Sequence, residues 1–248
     1  MRPLVAVRRA APFDPRFSTR DELFWPLARA ASALAGCHEF PTADLLQRVF
    51  EGPPPVRFVA AAPRKRRRTP VEARELYDAR ITLDREVPTR TGCWHDFLNA
   101  LVWGTFPLAK RALHARQYRA IRARLAPGAR TLPPTRTPEL DALALLDEGG
   151  VVLLSSHVEG AAPRTDAIVV FGHAIYESLV LGVAPAVVAG IALAVDGQPT
   201  EIVPAVDKAL ARVIEDPTKL QTPSELRRVG IRGAFGGGLR TSANQGAG

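Results

Sequence analysis

The chain has 248 residues, 46% of them hydrophobic but only 6% aromatic, which allows one large domain or two small ones around a core of Ala, Val, Leu and Ile. No run of about 18 apolar residues is free of charges or breakers, so no membrane span is expected; the charges in Met1–Arg9 argue against a signal peptide, and Cys37 and Cys93 alone make no disulfide framework, so the cytoplasm is the expected compartment. The formal net charge of +8 and pI of about 10.3 allow a polyanionic partner, but all but four of the 33 basic residues are arginines, and with the abundant Ala, Pro and Gly this matches the codon usage of a GC-rich genome.

Residues 1–20 are polar and broken by proline, and read as an extended arm. Helical spacing over Arg20–Ala35 places Leu23, Phe24, Leu27, Ala30, Ala31 and Leu34 on one side. A short helix follows over Thr42–Phe50, with Thr42 as N-cap, and Val56–Ala61 reads as a strand. Arg64-Lys65-Arg66-Arg67-Arg68 is a solvated basic segment, because five adjacent like charges repel one another. Thr69-Pro70-Val71-Glu72 opens a helix that runs to about Arg80. The spacing predicts helices over Trp94–Trp103 and over Pro107–Leu125, the second one basic, followed by a Pro/Thr-rich linker over 127–138. Two apolar runs, Ala142–Leu146 and Val151–Ser155, flank Asp147-Glu148-Gly149-Gly150 and read as a β-hairpin. Ile168–Phe171 reads as a strand entering a helix at Gly172, which ends near Gly182; Val187–Val195 is a strand and Pro204–Glu215 a helix, with Asp207 near the positive end of its dipole. From Gly230 the chain has little to bury and is expected to be disordered. The expected organisation is an N-terminal helical arm over 1–62, the basic segment over 63–69, a main domain over 70–229 and a tail over 230–248. The fold class is mixed α/β (α+β), helix-rich with a small antiparallel sheet or hairpin, in one compact domain.

Three segments carry residues suited to chemistry. In Trp94–Trp103, His95 and Asn99 are four apart and share a helix face, Asp96 lies beside them, and Arg90 comes just before. Asp147 and Glu148 sit at the expected hairpin turn. His173 and Glu177 are again four apart on a largely apolar helix. Such pairs can grip an ion or couple a base to an orienting carboxylate. Each also has a structural alternative: Asp96 favours a helix dipole, Asp147-Glu148 suits a turn, His173 and Glu177 can pair within their helix, and His114 suits the surface of the basic helix. No His-Glu-x-x-His motif is present.

Trp94-His95-Asp96-Phe97-Leu98-Asn99-Ala100-Leu101-Val102-Trp103, followed by Phe106-Pro107 and Lys110, resembles the bacterial family known as a domain of unknown function, DUF 3025. The resemblance continues through Leu140-Asp141-Ala142-Leu143 and Leu146-Asp147-Glu148-Gly149-Gly150-Val151, returns at Phe171-Gly172-His173-Ala174-Ile175-Tyr176-Glu177, and fades through Val206–Ala211. It implies no reaction. It implies that Arg90, Trp94, His95, Asp96, Asn99, Lys110, Asp141, Asp147, Glu148, His173 and Glu177 belong to a common pattern. Ser156–Asp166 is shorter than the corresponding stretch in the family, and Gly230–Phe235 stands where members carry a Pro- and Trp-containing segment.

The leading expectation is a hydrolase-like pocket with His95, Asp96, His173 and Glu177 as catalytic groups. Arg90, Trp94, Asn99, Lys110, Asp147 and Glu148 would bind an unidentified small-molecule ligand, with no cofactor or metal assigned. The alternatives are a nucleic-acid-associated protein that binds through Arg64, Lys65, Arg66, Arg67 and Arg68 and the Lys110–Arg124 helix, and a structural module in which the same polar groups form a buried network.

Overall fold

The computed structural model describes residues 11–62, 76–126, 135–156, 164–183, 188–195 and 201–230. The basic segment Arg64–Arg68, the helix opening at Thr69, most of the 127–138 linker and the tail from 231 lie outside them. In chain order the elements are α1 (Ala28–Ser32), α2 (Ala43–Leu46), β1 (Arg57–Ala60), α3 (Tyr77–Ala79), β2 (Glu86–Thr89), α4 (Trp94–Thr105), α5 (Pro107–Arg122), α6 (Pro138–Gly149), β3 (Gly150–Ser156), β4 (Arg164–Val170), α7 (His173–Val180), β5 (Val188–Ala194), α8 (Ile202–Glu215) and β6 (Arg227–Val229). Among the described residues, no helix is long and apolar enough to cross a membrane.

The fold is mixed α/β, and the core is built around α4. Ten of its twelve residues are buried, and Leu98, Ala100, Leu101, Val102 and Trp103 are wholly inaccessible. A helix apolar on every side must be enclosed on every side. Gly104 makes part of this possible: a Cβ there would stand 2.7 Å from Val49, so the 3-10 turn after α2 closes directly onto the helix. Residues 11–62 are part of this core. Phe17, Leu23, Phe24 and Leu27 are buried in it, the Arg20 guanidinium donates to the Val180 carbonyl at 2.8 Å, and Trp94 Nε1 donates to the Ala11 carbonyl at 3.1 Å. The segment before Arg20 is thus folded onto the protein from residue 11 rather than extended as an arm. Arg20–Ala35 forms a 3-10 turn over Glu22–Leu27 before α1, because Pro26 removes a backbone donor there.

The main sheet is mixed rather than antiparallel, in the order β4-β3-β5-β6. β3 pairs antiparallel with β4 and parallel with β5, and β6 runs antiparallel to β5. β3 is central, and Val151, Val152, Leu153 and Leu154 are all buried, as a strand covered on both faces requires. A separate parallel pair joins β1 and β2. The segment read as the first arm of a hairpin is helical: Thr137 caps α6 by accepting from Leu140 N, Pro138 occupies the first turn, and α6 runs into β3 with no intervening loop. Asp147 and Glu148 therefore lie in the last turn of a helix.

One helix terminus is completed from a distance. The residue preceding α5, Phe106, has no capping side chain, yet the Leu108 and Ala109 amides donate to the Asp207 carboxylate at 3.1 and 2.8 Å. Asp207 is one turn inside α8, so it caps α5 rather than its own helix and ties the two together. Asp207→Ala should lower stability by about 1–2 kcal/mol in urea denaturation, and Asp207→Asn, which keeps an acceptor oxygen, by less.

Candidate functional site

The end of α6, the start of β3, the end of β4 and the start of α7 meet at one edge of the sheet. Phe171 N and Gly172 N both donate to the Gly150 carbonyl, at 3.0 and 2.8 Å. A Cβ on Gly172 would stand 2.5 Å from the Glu148 carbonyl oxygen, so only glycine allows this approach. His173, the next residue, is thereby set beside Asp147 and Glu148. The first turn of α4 packs against α7 and supplies His95.

The two imidazoles meet tip to tip. His95 Nε2 and His173 Nε2 are 3.0 Å apart, with the rings steeply inclined at 76°. The other nitrogen of His95, Nδ1, lies 3.0 Å from Glu177 Oε2, one turn further along α7 than His173. Glu148 Oε2 is 3.5 Å from His173 Nε2, and Asp147 Oδ1 is 4.0 Å from His173 Nδ1. His173 is buried, whereas the side chains of His95 and Glu148 keep 30% and 52% of their exposure, so the pair opens to solvent on that side.

The environment splits the two histidines. The hydrogen bond to Glu177 holds His95 above the usual imidazole range, against the cost of burial. Burial pushes His173 down to about 3, although Asp147 pulls the other way. Burial also raises Glu148 above the usual carboxylate range, despite its half-exposed side chain and the pull of His95. The two environments thus push the facing imidazoles in opposite directions, His95 toward its charged form and His173 toward its neutral one.

Behind His173 lies a buried charged layer. Lys110 is wholly inaccessible and donates to Asp147 Oδ1 at 2.5 Å. Burial works to raise Asp147, but the ammonium, helped by His173 and His114, holds it well below the usual carboxylate range. His114 is not a surface residue: it is 2% exposed, its Nδ1 lies 2.8 Å from Asp78 Oδ1, and its ring stacks parallel on Trp103. Asn99 Oδ1, Trp103 Nε1, His114 Nε2 and His173 Nδ1 are all buried without a hydrogen-bond partner among the described residues. Tyr77, partly exposed, turns its hydroxyl inward toward Asn99, and burial together with Asp147 and Asp96 raises the phenol well above its usual range.

The fold brings together His95, His173, Glu177, Asp147, Glu148 and Lys110. It sets Asp96 and Arg90 apart as a pair: the guanidinium grips the carboxylate at 2.6 and 2.9 Å, and the Arg90 amide adds a third bond at 2.7 Å. Burial acts to raise Asp96, but these donors leave it lowered. Their contact closes the turn that enters α4. Trp94 is packed among Phe13, Phe17, Phe40 and Phe97. Asn99 lies one turn beyond His95, facing Tyr77. His114, Asp78, Tyr77 and Trp103 were not foreseen as neighbours of the site. The i,i+4 spacings Asn99–Trp103 and Lys110–His114 are the signals that point to them.

A family model described as "Protein of unknown function (DUF3025)" matches residues 56–163. Over that span the chain is similar to the DUF3025 family. The matched segment contains His95, Lys110, Asp147 and Glu148, while His173 and Glu177 lie beyond its end. No curated protein and no solved structure matches the chain.

Removing one partner of a buried ion pair strands the other, which costs more than the pair contributes. Asp147→Ala alone should destabilise the protein by about 3–5 kcal/mol, while the double replacement Lys110→Met with Asp147→Leu should recover much of that loss in the same urea titration.

Proposed function

We infer that this protein is a hydrolase-like enzyme whose centre is the His95–His173 pair. The observation that carries the reading is the 3.0 Å contact between the two Nε2 atoms, with a carboxylate against the outer nitrogen of His95 and a second carboxylate facing that of His173. Such opposed protonation tendencies suit an acid–base pair, and the half-open edge at His95 and Glu148 lets a substrate reach them. In this reading His173, kept neutral by burial, is the base. His95, oriented by Glu177, whose hydrogen bond favours its charged form, is the acid that protonates a leaving group. Glu148 lines the mouth, and the Lys110–Asp147 pair fixes the wall behind His173. Arg90 and Asp96 keep α4 aimed at the site by holding its entry turn.

A panel of carboxylic esters, phosphoesters and amides should reveal turnover. His95→Ala and His173→Ala should each reduce kcat/KM by about 100-fold or more, with circular dichroism unchanged. Full activity in either variant would remove the reading.

A second reading has one observation in its favour. A surface cleft beside α5 and α8 gathers Arg85, Arg111, Lys208 and Arg212, with Glu215 as its acidic residue, and this cationic lining suits a phosphate backbone. Two basic residues of the helix do not add to it. Lys110 is consumed by Asp147, and Arg116 is buried against Glu139 and the carbonyls of Ile214, Asp216 and Lys219. Gel shifts with duplex DNA and single-stranded RNA at low salt should show retention that weakens steeply with added salt on this reading; no retention at low salt would end it.

A further inference from the structure

We propose that His95, His173 and Glu148 form the seat of a divalent transition-metal ion of the zinc class. The proposal rests on the site described above but not on its being hydrolytic. Their ligand atoms, His95 Nε2, His173 Nε2 and a Glu148 carboxylate oxygen, all lie within 4.8 Å of one another. Donors on a tetrahedral zinc ion at 2.0–2.2 Å stand roughly 3.3 Å from each other. The two imidazole nitrogens are 3.0 Å apart, and His173 Nε2 lies 3.5 Å from Glu148 Oε2, so two of the three spacings bracket that figure.

The surroundings fit an ion as well as the donors do. A ligating imidazole must be neutral, must present its lone pair, and donates its other N–H to a carboxylate or carbonyl that fixes its orientation. His95 Nδ1 has that partner in Glu177 Oε2 at 3.0 Å. His173 Nδ1 faces Asp147 Oδ1 at 4.0 Å, with the Asp147 backbone also acting on the ring, and makes no well-formed hydrogen bond among the described residues. His173 is 3% exposed, so that nitrogen is sealed from water. It is left unsatisfied while its other nitrogen points at His95, a costly arrangement for a purely structural group. A cation between the two Nε2 atoms and Glu148 fixes the proton of His173 on Nδ1 and draws that N–H toward Asp147.

Two nitrogens and one oxygen favour zinc and its neighbours over magnesium or calcium, which take all-oxygen sites. Three protein donors leave one tetrahedral position free. The exposed edge at His95 and Glu148 lets water fill it, the feature that separates a catalytic zinc site from a closed structural one. Glu148 lies in the last turn of α6 with its side chain half-exposed.

Zinc titrated by calorimetry into chelator-treated protein, with metal content measured after gel filtration, tests this. The expected result is one zinc per chain. Affinity should fall at least 100-fold in His95→Ala and His173→Ala and about tenfold or more in Glu148→Gln and Glu177→Gln. Cobalt in place of zinc should give the intense visible absorption of a four-coordinate ion, lost in the same variants. Glu148→Gln alters only a half-exposed side chain and keeps the test decisive if a histidine variant does not fold. The proposal is overturned if no zinc is retained, or if Glu148→Gln and the histidine variants bind it as tightly as the parent chain. Hydrolysis at full rate in excess chelator would overturn the ion as a participant and leave the imidazole reading standing. Stoichiometric zinc on a protein that turns over none of the panel would do the reverse.

Discussion

The missing side chain of Gly172 lets two distant stretches of chain lie within a hydrogen bond of each other. With the Glu148 carbonyl 2.5 Å from where a Cβ would be, any other residue must push α7 away from the end of α6. The displacement would fall on the next residue, His173, and so on its distances to His95, Asp147 and Glu148. The two amides that converge on the Gly150 carbonyl hold the approach in place, and the direct passage of α6 into β3 leaves no loop to absorb a shift. The geometry of the imidazole pair therefore rests on backbone packing rather than on the side chains that make it.

The charges of α5 show why net charge is a poor guide to a surface. The helix looks like a cationic face in sequence, but α5 packs on α3, α6 and α8, and each of those contacts carries an ion pair or carbonyl cluster. Lys110 meets Asp147 of α6, His114 meets Asp78 of α3, and Arg116 meets Glu139 of α6 and three carbonyls at and beyond the end of α8. Buried charges of this kind are costly to desolvate and persist where ion pairs and hydrogen bonds offset that cost. Arg116 makes four such bonds.

Elements whose signals are local were readable from the chain. α4, α5, α7 and α8 follow from apolar spacing and from prolines in first turns, and Thr42 does cap α2. The hairpin expected around Asp147 was misread because Asp-Glu-Gly-Gly between apolar runs suits a helix end followed by a strand as well as a turn between strands. Leu140, Leu143 and Leu146, three apart and all buried, carry the helical period that decides it. The parallel pairing of β3 with β5 was not legible, because it is set by how the intervening β4 and α7 pack, not by either strand's own residues. His95, His173 and Glu177 were identifiable as chemically apt. That His95 bonds to Glu177, and not His173 to Glu177 within one helix, depends on the packing of α4 against α7 and could not be read from spacing. His114 was placed wrongly for the same reason, its partner Asp78 being 36 residues away.

The pairing of β3 with β4 gives the molecule a working end and a free end. Val151 and Val170 begin the ladder at the end nearer His173, whereas Ser156 and Arg164 terminate it five rungs away, roughly 17 Å off. The β-bulge at Leu154 and Ser155 lies between them and takes up irregularity in the register before it reaches the histidines. A change of register at the Ser156–Arg164 end is therefore separated from the histidines by most of the length of a strand.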